Sequence, residues 1–258
     1  MSNILAISGK KQSGKTTCGN FLLGCAMLSN DVVEYANLDE KGQLIVPYVD
    51  DSGNLKPCVF PSSSLHPGMV KYMEENVWSE IKIYNFADPL KALCMDILGM
   101  SYEQCYGTDS DKNTKTNFDW ADVTSYATRY PSAKMTAREV MQYVGTDFFR
   151  KIYPQVWVDS TLRRIKKDNP RLAVVVDCRF ENEVRGIQEA GGKVIRLSRN
   201  IYGDSDQHPS ETALDNYSGF DYVLENQDMD ISSQNQELYN KLAEWSFIDY
   251  DAAIVVSN

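Results

Sequence analysis

Short apolar runs alternate with amphipathic stretches along most of the chain. Five of these runs have the length and the residue types of β-strands. They lie at residues 4–7, 81–86, 172–176, 193–197 and 221–226. Because helical patterns separate these runs, we predict an α/β fold in which a doubly wound, five-stranded parallel sheet is flanked by helices.

Helix boundaries can be read at several places between the strands. Thr136 and Glu139 have the spacing of a capping box, and Gly145 is a typical stop, so we predict a helix between them. A second helix is expected over residues 154–167. Asp88 and Pro89 form a typical start, with Asp88 as N-cap, for a helix through about residue 98.

Three segments fall outside this regular alternation. Residues 43–60 contain two β-type runs around a turn, which predicts an inserted β-hairpin within a region of about 33–80. Residues 100–135 are expected to be a long loop or short helical pieces, and residues 199–217 a second loop. We predict one domain over residues 1–258, because this length suits a single α/β core with insertions.

Composition is that of a soluble globular protein, with 43% hydrophobic and 24% charged residues. No apolar run reaches the length of a membrane span. The first strand begins within a few residues of Met1, and the six cysteines form no C-x-x-C pair, so we expect a cytoplasmic protein without an export signal or a zinc site. The net charge of −10 disfavours binding to long nucleic acid.

The segment that follows the first apolar run carries the clearest chemistry. Residues 9–16 read Gly-Lys-Lys-Gln-Ser-Gly-Lys-Thr and fit the phosphate-loop pattern G-x-x-x-x-G-K-[ST], between a strand and a helix. Such a loop wraps a nucleotide triphosphate with its backbone amides, its lysine reaches the β- and γ-phosphates, and its threonine binds Mg²⁺. We therefore predict an ATP site. Its residues are Gly9, Lys10, Lys11, Gln12, Ser13, Gly14, Lys15, Thr16 and Thr17.

Three further residues suit phosphate and metal chemistry. Asp177 ends the apolar run 172–176, where a carboxylate can hold Mg²⁺ together with Thr16; its alternative role is to cap the next helix. Arg138 and Arg179 offer the planar donors that match phosphate oxygens, and their alternative role is surface ion pairing.

Five short motifs, in order, resemble the bacteriophage deoxynucleoside monophosphate kinases. They are Phe86-Ala87-Asp88-Pro89-Leu90-Lys91, the segment 138–147 (Arg-Glu-Val-Met-Gln-Tyr-Val-Gly-Thr-Asp), the segment 175–183 (Val-Val-Asp-Cys-Arg-Phe-Glu-Asn-Glu), His208-Pro209-Ser210-Glu211, and Tyr222-Val223-Leu224-Glu225-Asn226. The resemblance implies transfer of the ATP γ-phosphate to a deoxynucleoside monophosphate, which gives the diphosphate for phage DNA synthesis. It also implies that catalysis consists mainly of positioning and charge neutralisation by Lys15, Asp177, Arg138 and Arg179.

The same resemblance also implies which residues bind the substrate and which form the lid. It implies a monophosphate-binding region near residues 33–80 and a lid at about 199–217. Substrate would be bound by Asp88, Lys91, Arg138, Gln142, Asp147, Arg179, His208 and Glu211. Arg196 and Arg199 flank the lid and could close over the phosphates, while Asn226 contacts adenine or caps the following turn.

Two other classes of protein share part of this pattern. A kinase similar to dephospho-coenzyme A kinase would have the same loop, strand-end Asp and arginines. A nucleotide-binding switch is disfavoured, because Asp96-Ile97-Leu98-Gly99 falls within a helical pattern and no N-K-x-D motif is present. The base preference and the oligomeric state stay open, with a homodimer among the states allowed.

Overall fold

A computed structural model describes residues 2–49, 52–60, 67–123, 133–200 and 212–249. The chain divides into two compact units, one formed by Met1–Asn85 with Leu162–Asn258 and the other by Phe86–Thr161. The strands are β1 (Asn3–Gly9), β2 (Asn37–Leu38), β3 (Leu44–Val49), β4 (Leu55–Val59), β5 (Ile81–Tyr84), β6 (Lys115–Asp119), β7 (Lys134–Thr136), β8 (Leu172–Cys178), β9 (Lys193–Leu197) and β10 (Tyr222–Leu224). The helices are α1 (Lys15–Ser29), α2 (Pro67–Asn76), α3 (Asp88–Asp96), α4 (Tyr102–Tyr106), α5 (Asp109–Lys112), α6 (Ala137–Gln142), α7 (Arg150–Ile152), α8 (Val156–Asp168), α9 (Glu181–Glu189) and α10 (Ile231–Glu244).

The first unit is built on a five-stranded sheet in the order β10-β9-β1-β8-β5. Every neighbouring pair in it is parallel. Flanked by helices, this sheet confirms the predicted α/β class and is consistent with a P-loop NTPase-like fold. Its strands are the five apolar runs of the sequence.

Side chains from one face of this sheet form the main core. Leu5 and Ile7 of β1 are fully buried in a cluster with Phe21 of α1 and Leu238 of α10. Helix α1 lies very close to the sheet at Gly19, where an added Cβ would be 2.9 Å from Val176 Cγ1. The helix that follows the loop 9–16 is therefore held firmly against β8.

The predicted hairpin is present as part of a small separate sheet. Strands β3 and β4 are antiparallel, with Val49 opposite Leu55, and β2 adds to the other side of β3. The turn residues 50 and 51 lie outside the described residues. The amide of Asn20 in α1 donates to the carbonyl of Gly42 at 2.8 Å, which joins this sheet to α1.

The second unit packs short elements around its own core. Strands β6 and β7 pair in antiparallel fashion, and the core contains Cys94, Cys105, Met135 and Val140. The segment 100–135, predicted as a loop or short helical pieces, contains α4 and α5 as well as β6.

The predicted stop at Gly145 is wrong. Thr136 does cap α6, with Glu139 completing the capping box, but the helix continues as a π-helix over Tyr143–Phe149. Gly145 is buried, and an added Cβ would lie 2.6 Å from Leu90 Cδ2. Its carbonyl also accepts a hydrogen bond from Trp157 Nε1 at 3.1 Å. This glycine therefore permits close packing within the helix and does not end it.

Among the residues that the structure describes, no helix is long and apolar enough to cross a membrane.

Candidate active site

The loop 9–16 joins β1 to α1 at the carboxyl edge of the sheet, as predicted. Two of its residues have positive φ, Gln12 at 58° and Gly14 at 104°, and Gly14 is the N-cap of α1. At Gly9 an added Cβ would lie 2.2 Å from Ser13 Oγ, so the loop closes tightly on itself. The backbone amides at the N-terminus of α1 therefore begin directly at a tight, glycine-dependent turn.

Lys15 is folded back into this loop. Its side chain is buried, and its Nζ donates to the carbonyls of Gly9 at 2.8 Å and Lys10 at 2.6 Å. The pKa of Lys15 is lowered from 10.5 to about 7, first by burial and then by the positive charges of Arg179 and Arg196, while Asp177 acts in the opposite direction. These four predicted site residues thus lie within electrostatic reach of one another.

The other residues of the loop differ in exposure. Thr16 is exposed on the first turn of α1, and Gln12 is exposed in the loop, whereas Lys11 is half-buried. The hydroxyl Oγ of Ser13 is buried and has no hydrogen-bond partner within the described ranges. Thr17 packs against Gly42, where an added Cβ would lie 2.1 Å from Thr17 Oγ1.

Strand β8 places Asp177 and Arg179 beside the loop. In the register of the sheet, Cys178 pairs with Ser8 of β1. The N-cap of α9 is Phe180, so the alternative role of Asp177 as a helix cap is excluded. Both Asp177 and Arg179 are half-buried.

A carboxylate that the sequence analysis did not assign fixes the turn after β8. Glu183 is 1% exposed, and its Oε2 accepts from the backbone N–H groups of Arg179 at 2.7 Å and Phe180 at 3.1 Å. An acidic residue in the first turn of a helix is a recognisable capping signal, so this role could have been found in the sequence.

Arg196 lies at the carboxyl end of β9, beside Ser8 of β1. Its guanidinium donates to Ser8 Oγ at 3.0 Å and lies 3.6 Å from the carboxylate of Asp215. Asp215 also accepts from Lys10 Nζ at 2.6 Å. Burial lowers the pKa of Arg196, and Asp215 opposes that shift. One unassigned carboxylate therefore pairs with two of the predicted phosphate-binding cations.

Arg199 and Asn226 are joined to each other. The backbone N–H of Arg199 donates to Asn226 Oδ1 at 2.8 Å, and its Nε donates to the carbonyl of Asn226 at 3.0 Å. The side chain of Asn226 is completely buried. It also contacts Ser13 of the loop and Gln234 of α10, a residue that no sequence motif indicated.

Five of the predicted substrate residues, Asp88, Lys91, Arg138, Gln142 and Asp147, belong to the second unit. Asp88 is the first residue of α3, whose N-cap is Ala87, so the predicted N-cap at Asp88 was one residue late. Lys91 Nζ lies 4.2 Å from the ring centroid of Tyr106. Arg138 donates to Asp109 at 2.7 Å and to Asn113 at 3.2 Å.

Two more residues of this group lie on one continuous helical segment. Gln142 ends α6, and Asp147 lies in the π-helix, 3.8 Å from Lys151 Nζ. His208 and Glu211, in the predicted lid, lie outside the described residues.

The described residues contain no cluster of three or more His, Cys, Asp or Glu side chains that would hold a metal ion without further ligands. Thr16 and Asp177 offer a hydroxyl and a carboxylate oxygen, the donors that suit Mg²⁺ when phosphate oxygens complete its coordination.

Two comparisons with known proteins point to the same family. The family model of deoxynucleotide monophosphate kinase matches residues 3–241. A protein of Acanthamoeba polyphaga mimivirus, named "Putative deoxynucleotide monophosphate kinase", is 34% identical over 158 residues, which are 55% of this chain and 73% of the viral protein. The family match covers both compact units and all of the predicted site residues. The chain therefore belongs to the deoxynucleotide monophosphate kinase family.

Proposed function

We propose that this deoxynucleotide monophosphate kinase uses Mg²⁺ and ATP, and that the loop 9–16 binds the ATP phosphates. In the reaction, a phosphate oxygen of the deoxynucleoside monophosphate attacks the γ-phosphorus. The bond from that phosphorus to the β,γ-bridging oxygen breaks, and ADP and a deoxynucleoside diphosphate form. The observation that supports this most directly is Lys15, buried in a glycine-dependent loop at the carboxyl edge of the sheet.

The hydrogen bonds and the lowered pKa of Lys15 suit an amine that moves from the loop carbonyls to a phosphate when ATP binds. Its amine now donates to two loop carbonyls, and arginines nearby disfavour its charged form. A phosphate would supply negative charge in place of those carbonyl dipoles, so the ammonium form would become favoured when ATP binds. Lys15 then holds its proton next to the oxygens of the transferring group and stabilises the charge on them.

The residues at the ends of β8 and β9 would complete the donor phosphate site. Thr16 and Asp177 would hold Mg²⁺, which when bound neutralises phosphate charge and aligns the phosphates. Arg179 and Arg196 both lie close enough to Lys15 to lower its pKa, so they add positive charge to the same place. No general base is required, since the acceptor phosphate is already an anion.

The resemblance supports the proposed acceptor-binding residues, which are Asp88, Lys91, Arg138, Gln142 and Asp147, together with Arg179. The monophosphate-binding region near residues 33–80 stays a prediction from the sequence. Arg138 is 38% exposed and is paired with a more exposed carboxylate, Asp109, at 54%. An ion pair of this kind is weak, so a phosphate can compete for the guanidinium.

The test is an assay of ADP formation with Mg-ATP and each deoxy- and ribonucleoside monophosphate in turn. Lys15→Ala should lower turnover by on the order of 10²–10³-fold, because it removes a charge that acts on the transition state. Lys166→Ala, which removes an exposed lysine of α8, is the matched control and should retain full activity. Normal turnover by Lys15→Ala would refute the loop assignment.

The same assay with dephospho-coenzyme A tests the first alternative, which family membership leaves without support. Slow GTP hydrolysis without an acceptor would instead indicate a switch. Supply of phage DNA precursors and a cytoplasmic location stay predictions from the sequence, and the oligomeric state stays open, with a homodimer among the states allowed.

A further inference from the structure

Two buried amide side chains lie beneath the loop 9–16. Asn226, just after β10, is 0% exposed, and Gln234, in the first turn of α10, is 1% exposed. Asn226 Nδ2 donates to Gln234 Oε1 at 2.5 Å. These two residues, hereafter the amide pair, are more than 200 positions from the loop in sequence, yet both contact it.

The hydrogen bonds of the amide pair fix the orientation of both side chains. Asn226 Oδ1 accepts from the backbone N–H of Arg199, so its Nδ2 must point the other way, where it donates to the Ser13 carbonyl at 2.9 Å. Gln234 Nε2 donates to Cys18 Sγ of α1 at 3.3 Å. Both N–H bonds of Asn226 are thereby used, so no donor of its side chain is left for a nucleotide base.

The hydrogen bond from Asn226 to the Ser13 carbonyl determines the orientation of the peptide group between Ser13 and Gly14. The structure has no cis peptide bond among its described residues, and in a trans peptide the C=O and N–H groups point in opposite directions. Because Asn226 holds the Ser13 carbonyl toward the interior, the N–H of Gly14 is directed away from the amide pair. Gln234 packs directly on Gly14, since an added Cβ there would lie 2.7 Å from Gln234 Oε1.

The amide pair also reaches the start of the predicted lid. Arg199 is bonded to Asn226 through its backbone N–H and through its Nε, and its Nη2 contacts the carbonyl of Met229. Asn226 thus joins the loop to the first residue of the lid.

We propose that Asn226 and Gln234 are positioning residues for phosphoryl transfer. They hold the Ser13–Gly14 peptide so that its N–H faces the ATP phosphates, and they fix the position of the loop relative to Arg199. This inference rests on the proposed function, because it takes the loop 9–16 as the phosphate site. It replaces the predicted contact of Asn226 with adenine by a role beneath the loop.

The test uses Asn226→Asp, which keeps the shape of the side chain but removes both donors, and Gln234→Met, which keeps its length but removes its polar atoms. Asn235→Ala is the matched control, because Asn235 is the next residue in α10 and is 2% exposed. For each full-length variant, three quantities are measured: the KM for ATP, the KM for the preferred deoxynucleoside monophosphate, and the Kd of ATP from a direct titration without acceptor. Thermal unfolding shows how much of each variant is folded.

We expect Asn226→Asp and Gln234→Met to raise the KM and Kd for ATP roughly tenfold, with the KM for the monophosphate unchanged. A purely structural role would lower the amount of active enzyme and leave all three constants at the wild-type value, as we expect for Asn235→Ala. Unchanged ATP constants in the folded variants would overturn the inference. If the wild-type protein transferred phosphate to no monophosphate, the proposed function would fail, while the ATP titration would still decide the role of the amide pair.

Discussion

Replacing Gly14 by alanine tests how closely the loop 9–16 lies against the amide pair. Gly14 has φ of 104°, in the left-handed region, where an alanine is strained by about 1–2 kcal/mol. The new Cβ would also lie 2.7 Å and 2.8 Å from the two polar atoms of the Gln234 amide. Gln234 would have to move, weakening its bonds to Asn226 and Cys18, at a further cost of about 1–2 kcal/mol. We therefore expect Gly14→Ala to lower the free energy of unfolding by about 2–4 kcal/mol.

Urea unfolding at equilibrium measures this loss of stability. Gly191→Ala separates the contribution of backbone strain from that of the close contact with Gln234. Gly191 has φ of 83°, and an added Cβ there meets no atom within 4 Å, so its substitution should show backbone strain alone. In a Gln234→Ala background, where the obstructing amide is gone, Gly14→Ala should cost no more than Gly191→Ala does. If Gly14→Ala and Gly191→Ala were equally destabilising in the wild-type background, the close contact with Gln234 would be refuted.

Three further predictions concern ionisable side chains of the site. Because the pKa of Lys15 is about 7 in the free protein, ATP binding at about pH 8 should take up nearly one proton, and this uptake should vanish as the pH falls below about 6. Calorimetry in buffers of different ionisation enthalpy measures the uptake, which Lys15→Met should abolish. Glu183→Gln should lower the free energy of unfolding by about 1–3 kcal/mol, because the charged Oε2 that accepts from both backbone N–H groups becomes a neutral amide oxygen, which accepts less strongly. Exposed Glu181→Gln should change it by less than about 0.5 kcal/mol in the same urea titration. Asp215→Asn should tighten ATP binding a few-fold at low salt, because its carboxylate no longer competes with phosphate for two cations; weaker binding in a direct titration would contradict that competition.

The parts of the fold that the sequence predicted are those with strong local signals. The run Leu172–Val176 is continuously apolar, as a strand buried on both faces must be, and it forms most of β8. The hairpin was found because Gly53 and its polar neighbours separate two β-type runs. The helix after Thr136 was found from its capping box. Its predicted end at Gly145 was wrong, because the sequence alone does not distinguish a glycine required for close packing from one that ends a helix.

The parts that could not be predicted depend on contacts between distant residues. Strands β6 and β7 have no apolar alternation, and residues 120–133 separate them in the sequence. Nothing in the sequence therefore indicated that residues 86–161 form a compact unit. At the site, the loop and Asp177 were found from motif and strand position. Gln234 was missed because its helix shows only an ordinary amphipathic pattern; its importance comes from lying under Gly14, which is 220 positions away.

The position of β1 in the sheet has a consequence for synthesis on the ribosome. This strand pairs with β8 on one side and β9 on the other, so a nascent chain that has emerged only as far as residue 161 contains β1 but neither of its neighbours. Its apolar side chains then have no sheet in which to be buried, and parallel pairing over such a separation forms slowly. We therefore expect β1 to be stabilised only after β8 and β9 have emerged, and chains truncated before β8 to depend on chaperones or to aggregate.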